Sequence, residues 1–266
     1  MGKGSKGLNM IRKFDENIRL SVVLCVHNEE AQLGACLSTL KFSNEIVVLL
    51  DQCTDRSRDI AERFTDNIVE GEWPIEGARR NRALELARGE WILEVDADER
   101  VPENLALEIL EVIEKSNFDW HEIPVDNYIG KKLVRWGWGA SFGKAAYPGL
   151  FRNGVKTWGM ERVHPSLQWS GQKGPMLSNR LDHYVDRNIS DMIRRLDNYS
   201  TRRAQDLREG GTKFCFRKNL RRLFSRFFKC YIVRKGYREG GYGFLIATFA
   251  GLYPIISHLK AFLEEE

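Results

Sequence analysis

Two aspartates, Asp96 and Asp98, follow directly on the apolar run Glu90–Val95 (EWILEV), with Glu99 beside them. A loop carboxylate pair at Asp-x-Asp spacing suits Mg²⁺ or Mn²⁺, hard cations that take oxygen ligands and share them with substrate phosphates. Asp51 ends a second apolar run, Glu45–Leu50. Acidic residues after strands also cap the helix that follows, and Asp55 can do only that. Upstream of the pair, Arg79, Arg80 and Asn81 open a helical stretch. A helix N-terminus with guanidinium groups nearby fits an anionic diphosphate, and the same arginines fit a solvated helix face. Further on, Arg135-Trp136-Gly137-Trp138-Gly139 offers aromatic faces on a close-approaching loop. Trp rings stack on the apolar faces of sugars, so Trp136 and Trp138 are candidate acceptor-binding residues; filling the core beneath a long loop is the other use of such rings.

These residues need a frame that brings strand ends together. Leu20–Val26 and Glu45–Leu50 read as buried parallel strands, Asn67–Val69 as a third and Glu90–Val95 as a fourth. Between them come helices, one capped by Thr54 and Asp55 and running to about Phe64, another over Ala78–Ala87. Pro102 suits the first turn of a further helix, Glu103–Lys115. This alternation predicts an α/β open sheet with helices on both faces, and ligands then bind outside the carboxyl ends of the strands. Beyond residue 118 the chain turns rich in Trp, Gly and Tyr, and Asn188–Arg208 becomes helical before Gly210-Gly211.

At 266 residues the chain suits one large domain, or one with an elaborated C-terminal region, and 42% hydrophobic residues exclude wholesale disorder. The net charge of +4 selects no partner. Its distribution says more: Lys213–Arg238 holds ten Lys or Arg and no acid. Phe216, Leu220, Leu223, Phe224, Phe227, Phe228 and Tyr231 share one helical face there, with the basic residues mostly opposite. A basic amphipathic helix of this kind fits an anionic membrane surface, or a helix packed on the domain with a solvated face. Five cysteines without Cys-x-x-Cys spacing read as reduced and structural, in a cytoplasmic setting. Met1–Asn9 lacks the apolar core of a signal peptide, and Lys6 breaks the myristoylation pattern. Gly241–Ser257 is the most apolar stretch, and Gly251 and Pro254 mark it as lying on a membrane rather than crossing it.

The motifs resemble a known family. Ser21-Val22-Val23-Leu24 with His27-Asn28-Glu29-Glu30, then Asp51-Gln52-Cys53-Thr54-Asp55, Ala78-Arg79-Arg80-Asn81 and Val95-Asp96-Ala97-Asp98-Glu99 look like the successive motifs of the family 2 inverting glycosyltransferases. The resemblance implies the GT-A fold, a nucleotide-sugar-binding open sheet, here with a mostly helical C-terminal extension. Leu150-Phe151-Arg152, Glu161-Arg162-Val163-His164, His183-Tyr184 and Arg187-Asn188-Ile189-Ser190-Asp191 resemble the lipopolysaccharide inner-core β-glucosyltransferase branch. It implies a UDP-sugar donor, Mg²⁺ or Mn²⁺, and a lipid-linked glycan acceptor met on the cytoplasmic face of the membrane. Asn28, Glu29 and Asp51 would hold the uridine, Arg79 and Asn81 the diphosphate region, and Asp98 with Asp96 the metal. The general base would be an acid of the acceptor region. Pro165 stands where the branch often has a Glu, so Glu161 is the first candidate and His164 the second. Residues 18–117 are then the nucleotide-sugar-binding half, 118–209 the acceptor-binding region and 210–266 the basic tail. Two alternatives stand beside this reading. A polyprenyl-phosphate acceptor belongs to enzymes that often carry clear membrane-spanning helices. A non-catalytic nucleic-acid binder using the basic tail is disfavoured by the acidic strand ends.

Overall fold

The computed structural model describes residues 18–138, 143–161, 166–211 and 216–264. The first half runs β1 (Leu20–Val26), α1 (Leu33–Ser38), β2 (Glu45–Asp51), α2 (Ser57–Ala61), β3 (Ile68–Gly71), α3 (Glu76–Leu86), β4 (Trp91–Glu94), β5 (Glu99–Arg100) and α4 (Glu103–Lys115). The second half adds β6 (Trp120–Ile129), β7 (Lys132–Val134), β8 (Ala146–Arg152), β9 (Lys156–Trp158), β10 (Leu167–Trp169) and β11 (Leu181–Asp186). It closes with α5 (Ile189–Glu209), α6 (Phe216–Phe228), a π-helical turn at Lys229–Val233, a 3-10 turn at Gly236–Glu239 and α7 (Gly241–Leu263).

The main sheet has the order β3-β2-β1-β4-β8-β6-β11-β5, with β7 paired to β6. Strands β3, β2, β1 and β4 are parallel, in keeping with the continuous apolar runs of β1, β2 and β4. Alternate residues serve opposite faces. Leu20, Val22, Leu24 and Val26 pack with Leu37 of α1 and Leu105 and Ile109 of α4. Val23, Val47, Leu49 and Ile92 pack with Ala83 and Leu84 of α3. Each fully buried aliphatic side chain contributes about 1.5–3 kcal/mol, so this two-sided burial is what fixes the register of the strands. The third strand begins and ends later than the sequence pattern indicates, and α2 is shorter, ending at Ala61; Asp55 accepts from Ser57 N at 3.0 Å just before it starts.

The junction expected near 117 falls between α4 and β6, and the sheet runs on across it. Strand β8 lies antiparallel between β4 and β6, pairing Trp91 with Arg152. After β4 the chain crosses to β5 at the far edge, where Glu99 pairs with His183 of β11. The Asp96-Ala97-Asp98 loop therefore runs from the interior strand β4 to the edge strand β5 of the same sheet.

The stretch from Gly241 corrects one expectation. Gly251 and Pro254 do not interrupt it: α7 is a continuous helix of 23 residues, long and apolar enough by composition to cross a membrane, with mean hydropathy 1.4 in its most apolar window. Half of that window is buried in the protein. Ile246, Ala247, Ala250 and Tyr253 join Met192 and Leu196 of α5 in a third core cluster. Gly251 serves packing, since a Cβ there would stand 2.8 Å from the Leu223 carbonyl oxygen of α6.

Candidate active site

The loop after β1 is clamped onto the loop after β2. Asn28 adopts left-handed backbone (φ 55°), which Asn tolerates better than most residues, and its Oδ1 accepts from Thr54 N at 2.7 Å and Asp55 N at 3.3 Å. His27 Nδ1 lies 2.6 Å from the Asp51 carbonyl oxygen. Asp51 accepts from Trp73 N at 3.1 Å and from Arg79 at 3.0 Å. Glu29 is placed opposite Asp98. Burial first, then the charges of Asp98, Asp96 and Asp55, push its carboxyl up to about 7.

Helix α3 supplies ties more than free cations. Arg79 is engaged by Asp51. Arg80 donates to Glu76 at 2.9 Å, Glu94 at 2.9 Å and Asp96 at 3.2 Å, and lies over the Trp158 ring. Asn81 clasps the Trp158 backbone from both sides, donating to its carbonyl at 2.8 Å and accepting from its N–H at 2.9 Å. The start of α3 is pressed against the loop after β9: a Cβ on Gly77 would meet the Gly159 carbonyl oxygen at 1.8 Å.

Beyond β4 the acids divide into two kinds. Asp96 faces cations, Arg80 at 3.2 Å and Lys144 at 3.4 Å. Burial opposes its ionisation, yet Arg80, Lys144 and His183 outweigh that and hold its carboxyl well below the usual range. Glu99 is fully buried and pushed up by that burial, with Lys144 at 2.5 Å as its counter-charge. Its carboxylate also accepts from Asp96 N at 2.8 Å, which shapes the loop. Asp98 is partly exposed, as Asp96 is, and points to His183 of β11, Oδ2 to Nε2 3.2 Å. The orientation of that ring is fixed from behind. Asn127 donates its amide to the Lys144 carbonyl at 2.8 Å, so its Oδ1 faces His183 Nδ1 at 2.8 Å and makes Nδ1 the donor. Nε2 is then the ring atom that faces the Asp98 carboxylate, an arrangement that a proton or a cation between the two completes.

Glu161 sits in the exposed loop after β9. Its carboxylate accepts from Ser166 Oγ at 2.8 Å and Ser166 N at 3.1 Å, and these bonds hold it below the usual range. His164 lies outside the described residues. The two tryptophans part company. Trp136 is exposed, with Lys235 and Arg238 against its ring. Trp138 is buried in the α5–α7 cluster and donates its indole N–H to the Val134 carbonyl at 2.5 Å, so the structure places it in the core.

His183, Asn127 and Lys144 complete the centre without having been singled out as site residues by spacing. His183-Tyr184 belongs to the branch-like motifs, which is the one signal in the sequence; Asn127 and Lys144 stand in no pattern and reach Asp96 and Asp98 only through the sheet.

An open α/β sheet with acids at the carboxyl ends of β2 and β4 defines a nucleotide-sugar-type site, and the sequence comparison gives it a family. The chain belongs to glycosyl transferase family 2, whose model matches residues 21–153, and it is a glycosyltransferase. It is similar along nearly its whole length to the lipopolysaccharide core biosynthesis glycosyltransferase LpsC of Rhizobium meliloti, 24% identical over 260 residues that cover 91% of this chain and 92% of the relative. A shorter match, 34% identical over 97 residues, is to the poly(ribitol-phosphate) beta-glucosyltransferase of Bacillus spizizenii and covers 32% of this chain and 15% of that one. Among solved structures, S. aureus TarS 1-349 in complex with UDP shares the fold, with a TM-score of 0.50 and 13% identity over 92% of this chain and 90% of TarS.

Proposed function

We propose that this glycosyltransferase transfers a hexose from a UDP-sugar to a lipid-linked glycan such as a lipopolysaccharide core, with inversion at the anomeric carbon and with Mg²⁺ or Mn²⁺ beside the diphosphate. The observation that carries the reading is the Asp98–His183–Asn127 alignment. Among the described residues no three His, Cys, Asp or Glu side chains converge on one metal position. A cation that completes its shell with substrate phosphates and water asks for only one or two protein ligands, so Asp98 and the His183 Nε2 lone pair fit one. When bound, such a cation stabilises the negative charge that the leaving diphosphate gains.

The rest falls to the chain's own side chains. The Asn28–Glu29 loop and Asp51 line the nucleoside end. Asp96, neutralised by Arg80 and Lys144, faces the sugar as an acceptor whose charge is already compensated. A carboxylate near the acceptor hydroxyl takes its proton, and Glu161 is the candidate, on a loop braced by the Asn81–Trp158 clasp. UDP and lipopolysaccharide-core chemistry are those of the TarS complex and of LpsC by name, and they support the donor and acceptor classes chosen here. Helix α6 supports a peripheral place on the cytoplasmic face of a membrane: Leu220, Phe224 and Phe228 are exposed between Arg217, Arg221 and Arg222.

The test is a panel of UDP-sugars with Mn²⁺ or Mg²⁺, scored for donor hydrolysis and transfer. Activity with one of them, lost in both Asp98→Ala and His183→Ala while the melting temperature holds, is the expected result. Full activity of Asp98→Ala, or unchanged activity in chelator, refutes the metal assignment.

A further inference from the structure

A cavity of about 480 Å³ opens between the Asn28–Glu29 loop, Asp98 and the side of α5. Its α5 wall consists of Asp191, Arg194, Arg195, Asn198, Tyr199 and Arg202. These positions recur every three or four residues, so they form one stripe along the helix, about 16 Å from end to end. The stripe lines the same cavity as Asn28, Glu29 and Asp98.

The charges along this wall do not cancel. Arg195 pairs with Asp186 at 2.6 Å. Arg194 and Arg187 share a single carboxylate, Asp191, at 2.6 and 2.7 Å, and both guanidinium groups are about two-thirds exposed. Arg202 makes no ion pair among the described residues. On the α5 wall three arginines meet one aspartate; around the whole cavity Arg187 joins them and Asp186, Asp98 and Glu29 add three acids, of which Asp98 faces His183 and Glu29 is pushed up to about 7 by burial, so Arg202 is the guanidinium left without a carboxylate among the described residues. Hydroxyl groups of a neutral glycan would be met by Asn198 and Tyr199 without surplus guanidinium charge. Guanidinium forks match phosphate or carboxylate oxygens two at a time.

Resting on the glycosyltransferase reading above, we infer that this stripe is an acceptor subsite for a glycan bearing an anionic group, phosphate or carboxylate, held by Arg194 and Arg202. The donor's own diphosphate offers the same chemistry from a second source, and in the reading above it belongs beside Asp98. Arg202 stands eleven residues along the helix from Asp191, about 16 Å away. An anion there sits on the acceptor at some distance from the hydroxyl that reacts, and the subsite then selects acceptors by charge without touching the bond that breaks.

The experiment titrates inorganic phosphate and, separately, UDP with Mn²⁺ into the full-length protein and into Arg194→Ala/Arg202→Ala. Phosphate is titrated with and without saturating UDP. Both side chains are exposed, and Arg187 still covers Asp191, so the variant keeps its fold; its melting temperature is checked against the parent. The expected result is phosphate binding to the parent in both conditions, weakened by about tenfold or more in the variant, with UDP affinity unchanged. Arg194→Lys/Arg202→Lys recovers part of it. Loss of UDP affinity in step with phosphate assigns the arginines to the donor and overturns the subsite. Phosphate binding that is absent from the parent, or equal in parent and variant, marks the stripe as a solvated face and overturns it as well. Failure of UDP to bind the parent refutes the donor reading instead, and the phosphate titration without UDP still decides the subsite.

Discussion

Arg80 ties three carboxylates together at the end of β4, and Arg80→Met isolates its charge. Methionine keeps an apolar stem against Trp158 and removes bonds to Glu76, Glu94 and Asp96. Glu76 is 39% exposed and rehydrates. Glu94 retains Lys156, and Asp96 retains Lys144. Breaking a buried pair costs about 3–5 kcal/mol when the remaining charge has no other partner; with these second partners in place we expect about 3 kcal/mol. For a chain of this size that is a fall in melting temperature of about 6–12 °C. The pH dependence has a definite sign. A carboxyl held low in the folded state contributes stability that is present above its unfolded value, near about 4, and lost as pH falls towards the folded value. Asp96 and Glu94 are both held low. The deficit of the variant should therefore be constant from about pH 8 to pH 5 and narrow below about pH 4. Urea unfolding across that range is the assay. An unchanged midpoint at pH 7, or a deficit that widens in acid, refutes the reasoning.

Glu29→Gln should behave in the opposite sense. Burial raises this carboxyl to about 7, so the wild type loses stability as pH rises from about 4.5 to 7, and the variant should be about 1 kcal/mol more stable above that window and equal below it, after discounting for partial solvent screening; equal pH profiles in thermal melts would contradict this. Glu161→Gln should lower kcat by about 10²–10⁴ with little change in the donor KM, and a near-normal kcat passes the base to another group. On anionic vesicles at low salt the wild type should sediment, Phe224→Ser/Phe228→Ser and Arg217→Glu/Arg221→Glu/Arg222→Glu should not, and all should hydrolyse donor equally; wild-type protein that stays in solution at every salt concentration removes α6 from the membrane.

The parallel half of the fold was legible because its strands are short apolar runs buried on both faces, and the acids at their ends follow from strand polarity alone. Asp51, Asp96 and Asp98 stand where that logic puts them. The second half was not legible in the same way. Strand β8 joins the sheet antiparallel to β4 from across the chain, and nothing local in Ala146–Arg152 announces its neighbour. The helical nature of α7 was obscured by Gly251 and Pro254, which mark breaks in an isolated helix; packing on α5 and α6 outweighs that local preference. Trp138 illustrates a further limit, since an aromatic in a Gly-rich loop carries no sign of whether its face meets sugar or core. For Arg79, Arg80 and Asn81 the sequence showed a polar helix start but not its partners, because Glu94 and Trp158 reach α3 only through the sheet.

That division explains why the centre is built across the seam. The parallel half supplies carboxylates in excess: Glu94, Asp96, Asp98 and Glu99 within six residues. Alone, they would repel one another, and the buried ones would take up protons. Arg80 compensates Glu94 and Asp96 in part from within that half, Lys144 and Lys156 bring the remaining charge from the second half, and His183 brings the ring that faces Asp98. The crossing from β4 to the far-edge strand β5 forces these groups together, because Glu99 must lie beside His183 for the β5–β11 pair to form. A shift in that register would therefore disturb both the Lys144–Glu99 ion pair and the His183–Asp98 contact. Sheet pairing, charge compensation and the geometry at Asp98 are one condition, so the acidic loop acquires this arrangement only when the second half of the chain has folded against it.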